Sequence, residues 1–227
     1  MTYNKPYYGA FLERLGFKKR MDLYAYQLPT KDVSQKSLDL SARIEERLKR
    51  KGIIIRQVNM KEFKKEIEEV RSIYMDAWSA NWGFVPPTKE EFDDLALGMK
   101  MIIIPEVVYV AEHEGKKIGF FLCLPDINQI MIKQKRGRIL PFGALKLLFR
   151  KKTANILRVL LLGVIPEYRK MGIEGVFYAK SIRYAQTHNI EFGEGSWVLE
   201  NNEMMNAGMV NMGGHIYKTY RIYEQEV

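Results

Sequence analysis

The apolar run Ile156 to Ile165, the segment Arg169-Lys170-Met171-Gly172-Ile173-Glu174-Gly175 and the helical stretch Val176 to Thr187 constrain the fold more than any other part of the chain. The run carries Arg158 and falls well short of the roughly 18 uncharged residues of a membrane span, so it reads as a buried strand. Strand, glycine-containing turn and helix in that order make a device for an anion. The N–H groups of the turn and the positive end of the helix converge on one spot. Gly172 and Gly175 have no Cβ, which lets backbone approach a ligand there.

A chain of 227 residues with 47% hydrophobic content can bury the core of one domain, with or without a small extension. The first residues lack the apolar core of a signal peptide, and a cytoplasmic protein without a transmembrane segment is the expectation. Cys123 is the single cysteine, which excludes an internal disulfide framework, and it reads as a small core residue. His113, His188 and His215 have no metal-ligand spacing, so no metal is expected. The net charge is +9, and it is uneven. Between Ile127 and Pro166 stand Lys133, Lys135, Arg136, Arg138, Lys146, Arg150, Lys151, Lys152 and Arg158, with no acid. Such a block suits the phosphates of a cofactor, an acidic carrier protein or anionic lipid, or else is a solvated face. With Phe142, Leu145, Leu148 and Phe149 it also reads as a membrane-surface segment. Nucleic acid shares the charge, but no reading motif accompanies it.

The pattern along the chain predicts a helix over 37–51, a strand over 53–58 and a long helix over 60–82. The long helix carries a stripe of Phe63, Ile67, Val70, Tyr74 and Ala77. Pro86-Pro87 breaks the chain, and Thr88 caps a helix to about Met99. Two strands, 107–113 and 117–124, are joined by Glu114-Gly115, a hairpin signal. The basic stretch 127–152 reads as an irregular or helical insertion. The strand at 156–165, a helix over 173–187, a strand over 195–199, a helix over 202–212 and a strand over 216–224 follow. This order predicts a mixed α/β sheet covered by helices.

The glycine turn resembles the acyl-CoA-binding motif of the GNAT N-acetyltransferase superfamily, Arg/Gln-x-x-Gly-x-Gly/Ala at a strand end. Arg169 and Gly172 match it, and Glu174 departs from it. The stretch Asn201-Asn202 through Met212-Gly213-Gly214 resembles the family's Asn-x-x-Ala…Gly-Phe helix, with Gly214 where Phe is usual. The resemblance covers about residues 53–223. It implies a mostly antiparallel mixed sheet with a splay, flanked by helices, and transfer of an acetyl or longer acyl group from acetyl-CoA or another acyl-CoA to a small-molecule or peptide amine. It places the pantetheine and thioester on Leu162-Gly163-Val164. The pyrophosphate falls on Arg169, Lys170, Met171, Gly172, Ile173, Glu174 and Gly175, with Asn202 available to the donor or substrate. Trp78, Trp82 and Phe84 would line the acceptor or acyl pocket, or else pack a core. Glu200 is the candidate base. The family's acid tyrosine falls on Met209, which cannot donate a proton, so Tyr217, with Tyr220 as second choice, is the candidate acid. Two alternatives accompany this reading: a scaffold that binds without turnover, and an acyltransferase charged by an acyl carrier protein.

Residues 4–26 and 201–223 share a sparse pattern at an offset of 197, pairing Asn4 with Asn201, Leu15-Gly16 with Met212-Gly213 and Tyr26 with Tyr223. Residues 1–30 are therefore expected to be the tail of a preceding GNAT-like domain, with residues 31–227 as the GNAT-like domain itself. The alternative is a helix and strand lent to another subunit's sheet, as in a homodimer.

Overall fold

The computed structural model describes residues 3–31, 33–79, 81–132, 149 and 151–226. The expectation for the basic insertion falls largely on 133–148 and 150, outside the described residues. In chain order the helices are α1 (Tyr7–Arg14), α2 (Gln35–Arg50), α3 (Phe63–Trp78), α4 (Lys89–Met99), α5 (Asn128–Met131), α6 (Ile173–Thr187) and α7 (Glu203–Asn211). The strands are β1 (Lys18–Pro29), β2 (Ile53–Gln57), β3 (Val108–His113), β4 (Lys116–Pro125), β5 (Ile156–Val164), β6 (Phe192–Leu199) and β7 (His215–Glu224). The chain divides into two compact units, Pro29–Gly193 and Met1–Leu28 with Glu194–Val227.

The larger unit holds β2, β3, β4 and β5 as an antiparallel run, each strand paired with the next. Glu114 (φ 50°) and Gly115 (φ 76°) close the β3–β4 hairpin with two positive φ values, the geometry whose twist matches the flanking strands. The period of two sends alternate side chains to opposite faces. Val108, Leu122 and Leu124 meet Phe63 and Ile67 of α3 and Phe92 and Ala96 of α4. Tyr109 and Phe121 turn the other way and stack on Phe177 of α6, at 6.4 and 5.8 Å between ring centres. The expected stripe on the long helix is thus the core-facing one, with Val70 and Tyr74 packed against the same cluster. That helix is shorter than its pattern predicts: Met60–Glu62 is a separate 3-10 turn, and the helix ends at Trp78. α4 opens with reciprocal bonds between Thr88 and Glu91, which satisfy two N–H groups that a helix start would otherwise leave without partners.

The smaller unit holds β6, β1 and β7, with β1 between the other two. β1 and β7 run antiparallel. The strand expected from 195 begins at Phe192, which brings Glu194 into it. Asp22, at the middle of β1, is buried and receives both arms of a fork from Arg221 of β7, at 2.8 and 3.0 Å. That fork holds the Asp22 carboxyl below its ordinary value of 3.8, Lys19 acting the same way and burial opposing both. A carboxyl depressed in the native state stabilises the fold above its ordinary value, and the contribution fades as pH falls through the native one. Asp22→Asn is expected to lower the urea midpoint at pH 7, with the difference from wild type shrinking below about pH 4. An equal difference at pH 7 and pH 3 would contradict this electrostatic account.

Candidate active site

The segments expected to hold a donor lie wholly in the larger unit. After β5 the chain makes a 3-10 turn at Pro166–Tyr168 and then enters α6 through Gly172, which sits in the left-handed region at φ 90°. The first intrahelical bond runs from the Val176 N–H to the Gly172 carbonyl, so the amides of Ile173, Glu174 and Gly175 have no partner within the helix. They stand at the positive end of a 15-residue helix. Such a group of amides can hold the oxygens of a phosphate or pyrophosphate.

The two glycines serve different ends. A Cβ on Gly172 would come within 2.9 Å of Ile44 Cγ2, so Gly172 is required by its φ and by the close seat of α2 against the turn. A Cβ on Gly175 would meet nothing within 4 Å, and this is the position with open space beside the amides. Lys170 is exposed, with φ 65°. Met171 offers its carbonyl to Arg47 of α2 at 3.4 Å. Arg169 is turned inward: its Nε donates to the Val164 carbonyl at 3.1 Å and its second arm to Ala77 at 3.4 Å. Its guanidinium therefore ties the end of β5 to the end of α3. Glu174 stands in the first turn of α6. Burial raises its carboxyl, while its own backbone N–H and Arg169 pull the other way. A carboxylate bonded to a first-turn amide occupies part of the position an incoming anion would take.

Leu162, Gly163 and Val164 pair with Phe121, Phe120 and Gly119 of β4. Just before them the register slips between Leu122 and Cys123, so that Leu160 is bulged; a bulge bends a strand and adds twist. A Cβ on Gly163 would lie 2.6 Å from the Trp78 ring. Trp78 stacks on Tyr74 at 4.8 Å, and Tyr74 meets Phe84 at 5.5 Å. The structure thus brings Trp78 and Phe84 together through Tyr74, against the strand expected to hold the thioester. Trp82 is half-buried on the loop after α3.

The remaining candidates lie in the smaller unit. Glu200, expected as the base, accepts from Lys19 Nζ at 2.6 Å and from the Asp22 N–H at 2.9 Å. The Lys19 bond is the main reason its carboxyl sits below the ordinary value. Its observed role is to tie β1 to the end of β6, and a carboxylate so held is a weak proton acceptor. The Asn202 side chain caps α7 by accepting from the Met205 N–H at 3.1 Å. Tyr217 donates its hydroxyl to Glu194 Oε2. Glu194 is buried, and its other oxygen accepts from Ser196 at 2.8 Å. Lys218 Nζ stands 3.1 Å from the Tyr217 oxygen. A buried carboxylate holding a phenol and a hydroxyl, with an ammonium beside it, is a chain along which a proton can move. Sequence reasoning misses Glu194 because the expected strand starts at Gly195, three residues after the observed start at Phe192. The signal is in Glu194 and Ser196, two polar residues two apart and so on one face of the strand. Met209 is buried beneath Gly195, whose added Cβ would meet its sulfur at 2.9 Å. Gly214 has no space for a side chain, since a Cβ would lie 2.7 Å from Leu28 and 2.8 Å from the Met209 carbonyl; the family's Phe cannot be accommodated there.

At the ends of the basic block, Lys151 donates to the carbonyls of Met101 and Ile103, and Lys152 pairs with Glu106 at 2.6 Å. These two charges are used internally. Among the described residues no group of His, Cys, Asp and Glu could hold a metal ion, and no helix is long and apolar enough to cross a membrane.

No protein-family model matches the chain. It is 34% identical over 235 residues to Protein YghO of Escherichia coli, covering 100% of this chain and 59% of that protein. It is 33% identical over 234 residues to the bacterial ceramide synthase of Caulobacter vibrioides, covering 99% and 59%. The chain therefore spans about 59% of the length of these curated relatives. A GCN5-related N-acetyltransferase from Sphaerobacter thermophilus superimposes with a TM-score of 0.60 at 12% identity, covering 98% of this chain and 57% of that one. A tandem GNAT protein from the clavulanic acid biosynthesis pathway gives 0.58 at 12% identity, covering 98% and 59%. The chain has the fold of these GNAT proteins.

The geometry separates three substitutions in calorimetry with CoA. Gly175→Asp is expected to weaken binding about fivefold or more at an unchanged melting temperature, because its carboxylate enters open space beside the amides. Glu174→Gln is expected to tighten binding by a similar factor, because it removes a competing charge. Gly172→Ala is expected to cost about 2–4 kcal/mol of stability, from its φ and from Ile44, seen as a lowered melting temperature.

Proposed function

We propose that this chain is an N-acyltransferase that moves an acyl group from an acyl thioester to a primary amine. The observation that carries this reading is the group of amides of Ile173, Glu174 and Gly175, which bond to no backbone carbonyl of the helix, at the N-terminus of α6, beside the bulged strand β5 in a GNAT-like fold. Acyl-CoA is the donor this device suits: its pyrophosphate would take the amides, and its pantetheine would follow Leu162-Gly163-Val164. The resemblance to a bacterial ceramide synthase supports a lipid acceptor and a long acyl group. A ceramide is the amide of a fatty acid with a long-chain amino alcohol. The aromatic cluster of Tyr74, Trp78 and Phe84 against Gly163 is the apolar surface available for such a chain.

Proton handling is assigned to Glu194 and Tyr217 in place of Glu200. The substrate ammonium loses one proton, and the free amine nitrogen attacks the thioester carbonyl. The C–N bond forms, the second amine proton is lost and the C–S bond breaks. The departing thiolate takes up one proton, so one proton is released per amide formed.

A second reading, a module that binds the thioester without turnover, is favoured by Met209 at the position of the family's acid tyrosine. The two separate in one experiment. With palmitoyl-CoA and sphinganine, Tyr217→Phe and Glu194→Gln are each expected to lower kcat by about 100-fold while leaving the calorimetric affinity for the thioester unchanged. Thioester binding with no amide product in the wild type would favour the module. Unchanged kcat in both variants would remove the assignment to Glu194 and Tyr217.

A further inference from the structure

The smaller unit contains one helix–glycine–strand piece twice. α1, Gly16 and β1 form the first, and α7, Gly213 and β7 the second, at the sequence offset of 197. Their helix ends are bonded alike. Leu15, Gly16 and Phe17 donate to Phe11, Glu13 and Leu12 at 3.1, 3.1 and 3.0 Å; Met212, Gly213 and Gly214 donate to Gly208, Val210 and Met209 at 3.2, 2.9 and 2.9 Å. Both glycines are left-handed, at φ 87° and 79°.

The strand register obeys the same relation. Leu23 pairs with Tyr220, its own counterpart, and this pair marks a local two-fold axis. About it, Lys18–Glu224 maps onto Gln27–His215, Lys19–Tyr223 onto Tyr26–Ile216, Met21–Ile222 onto Ala25–Lys218 and Asp22–Arg221 onto Tyr24–Thr219. Even the bulges correspond, since Arg20 is skipped on one strand and its counterpart Tyr217 on the other. The Tyr26 hydroxyl donates to Asn206 of α7 at 2.8 Å, and the Tyr223 hydroxyl lies 3.0 Å from a Cβ built on Gly9, the counterpart of Asn206 in α1.

One strand breaks this symmetry. β6 lies beside β1, with Met209 of α7 packed on its Gly195. Among the described residues no strand lies beside β7 at the related position, where β7 ends the order. α1, which would pack there as α7 packs on β6, leaves Tyr7, Tyr8, Phe11 and Leu15 exposed by 52, 48, 50 and 67%. An edge strand and an apolar helix face left open together are costly to a protein in water.

We propose that a second domain of this fold, preceding α1 on the same polypeptide, covers both. Its strand in the β6 role pairs with the outer edge of β7, its sheet buries the apolar face of α1, and α1 with β1 forms its own terminal helix and strand. The curated relatives leave room for such a domain, since this whole chain matches 59% of each and two-fifths remains. The inference rests on the two-fold register and not on the acyltransferase reading.

Hydrogen exchange tests it on the 227-residue chain and on the natural polypeptide that carries it with its upstream sequence. Peptides spanning 215–224 are expected to exchange about tenfold or more slowly in the longer polypeptide. Phe11→Asp is expected to remove that protection there and to leave the 227-residue chain unchanged. Equal exchange in the two proteins overturns the proposal, as does a natural reading frame with no GNAT-like sequence ahead of α1. Protection that arises in the shorter chain only on raising its concentration also overturns it, because a second copy of the chain would then cover the edge.

Discussion

The contact on which the larger unit depends is the seat of Ile44 against Gly172. A side chain at Gly172 would meet Ile44 at 2.9 Å, and the φ of 90° is one that glycine alone adopts without strain. Because the chain can reverse there, α6 starts nine residues after the end of β5 and lies back over Tyr109 and Phe121. The same turn leaves the amides of Ile173, Glu174 and Gly175 without a carbonyl partner in the helix. Arg169 fixes the other side by bonding to Val164 and Ala77. The candidate anion site is thus a by-product of how one helix is packed, and its residues are held by contacts within the larger unit.

Charge is distributed between structure and chemistry in an order that composition does not reveal. Arg169, Lys151, Lys152 and Glu200 are plausible ligand contacts when read as letters, and each is engaged by groups within its own unit. Glu194 lies in a strand, buried, with a serine and a tyrosine on its two oxygens. Glu200, clamped by Lys19, is held in its charged form and resists protonation. The residue proposed to carry the proton is the one the linear pattern placed outside the strand.

Much of the fold was legible in the sequence. The apolar run of β5, the Glu114-Gly115 turn, the Thr88 cap and the stripe on α3 are local signals whose spacing follows from the geometry of strands and helices. The boundaries that slipped did so where two structures compete. Met60–Glu62 satisfies a helical pattern but forms a tighter turn, and Phe192–Glu194 joins β6 although Gly193 and Gly195 weaken its strand signal. The aromatic wall was named through Trp78 and Phe84, while Tyr74, which joins them, was assigned only to the helix stripe. Which of several aromatics meet depends on where a helix end lies over a sheet.

The sequence by itself determined the α/β class, the glycine turn after β5 and the echo between its two ends, because each is written in residue type at fixed spacing. Tertiary structure alone decided that Arg169 faces inward, that Gly172 serves packing while Gly175 faces open space, and that Glu194 meets Tyr217. It also turned the echo into a two-fold register between β1 and β7. The physical reason is range: backbone preferences act over a few neighbours, whereas the partners of a side chain are set by segments that only folding brings within a few ångströms.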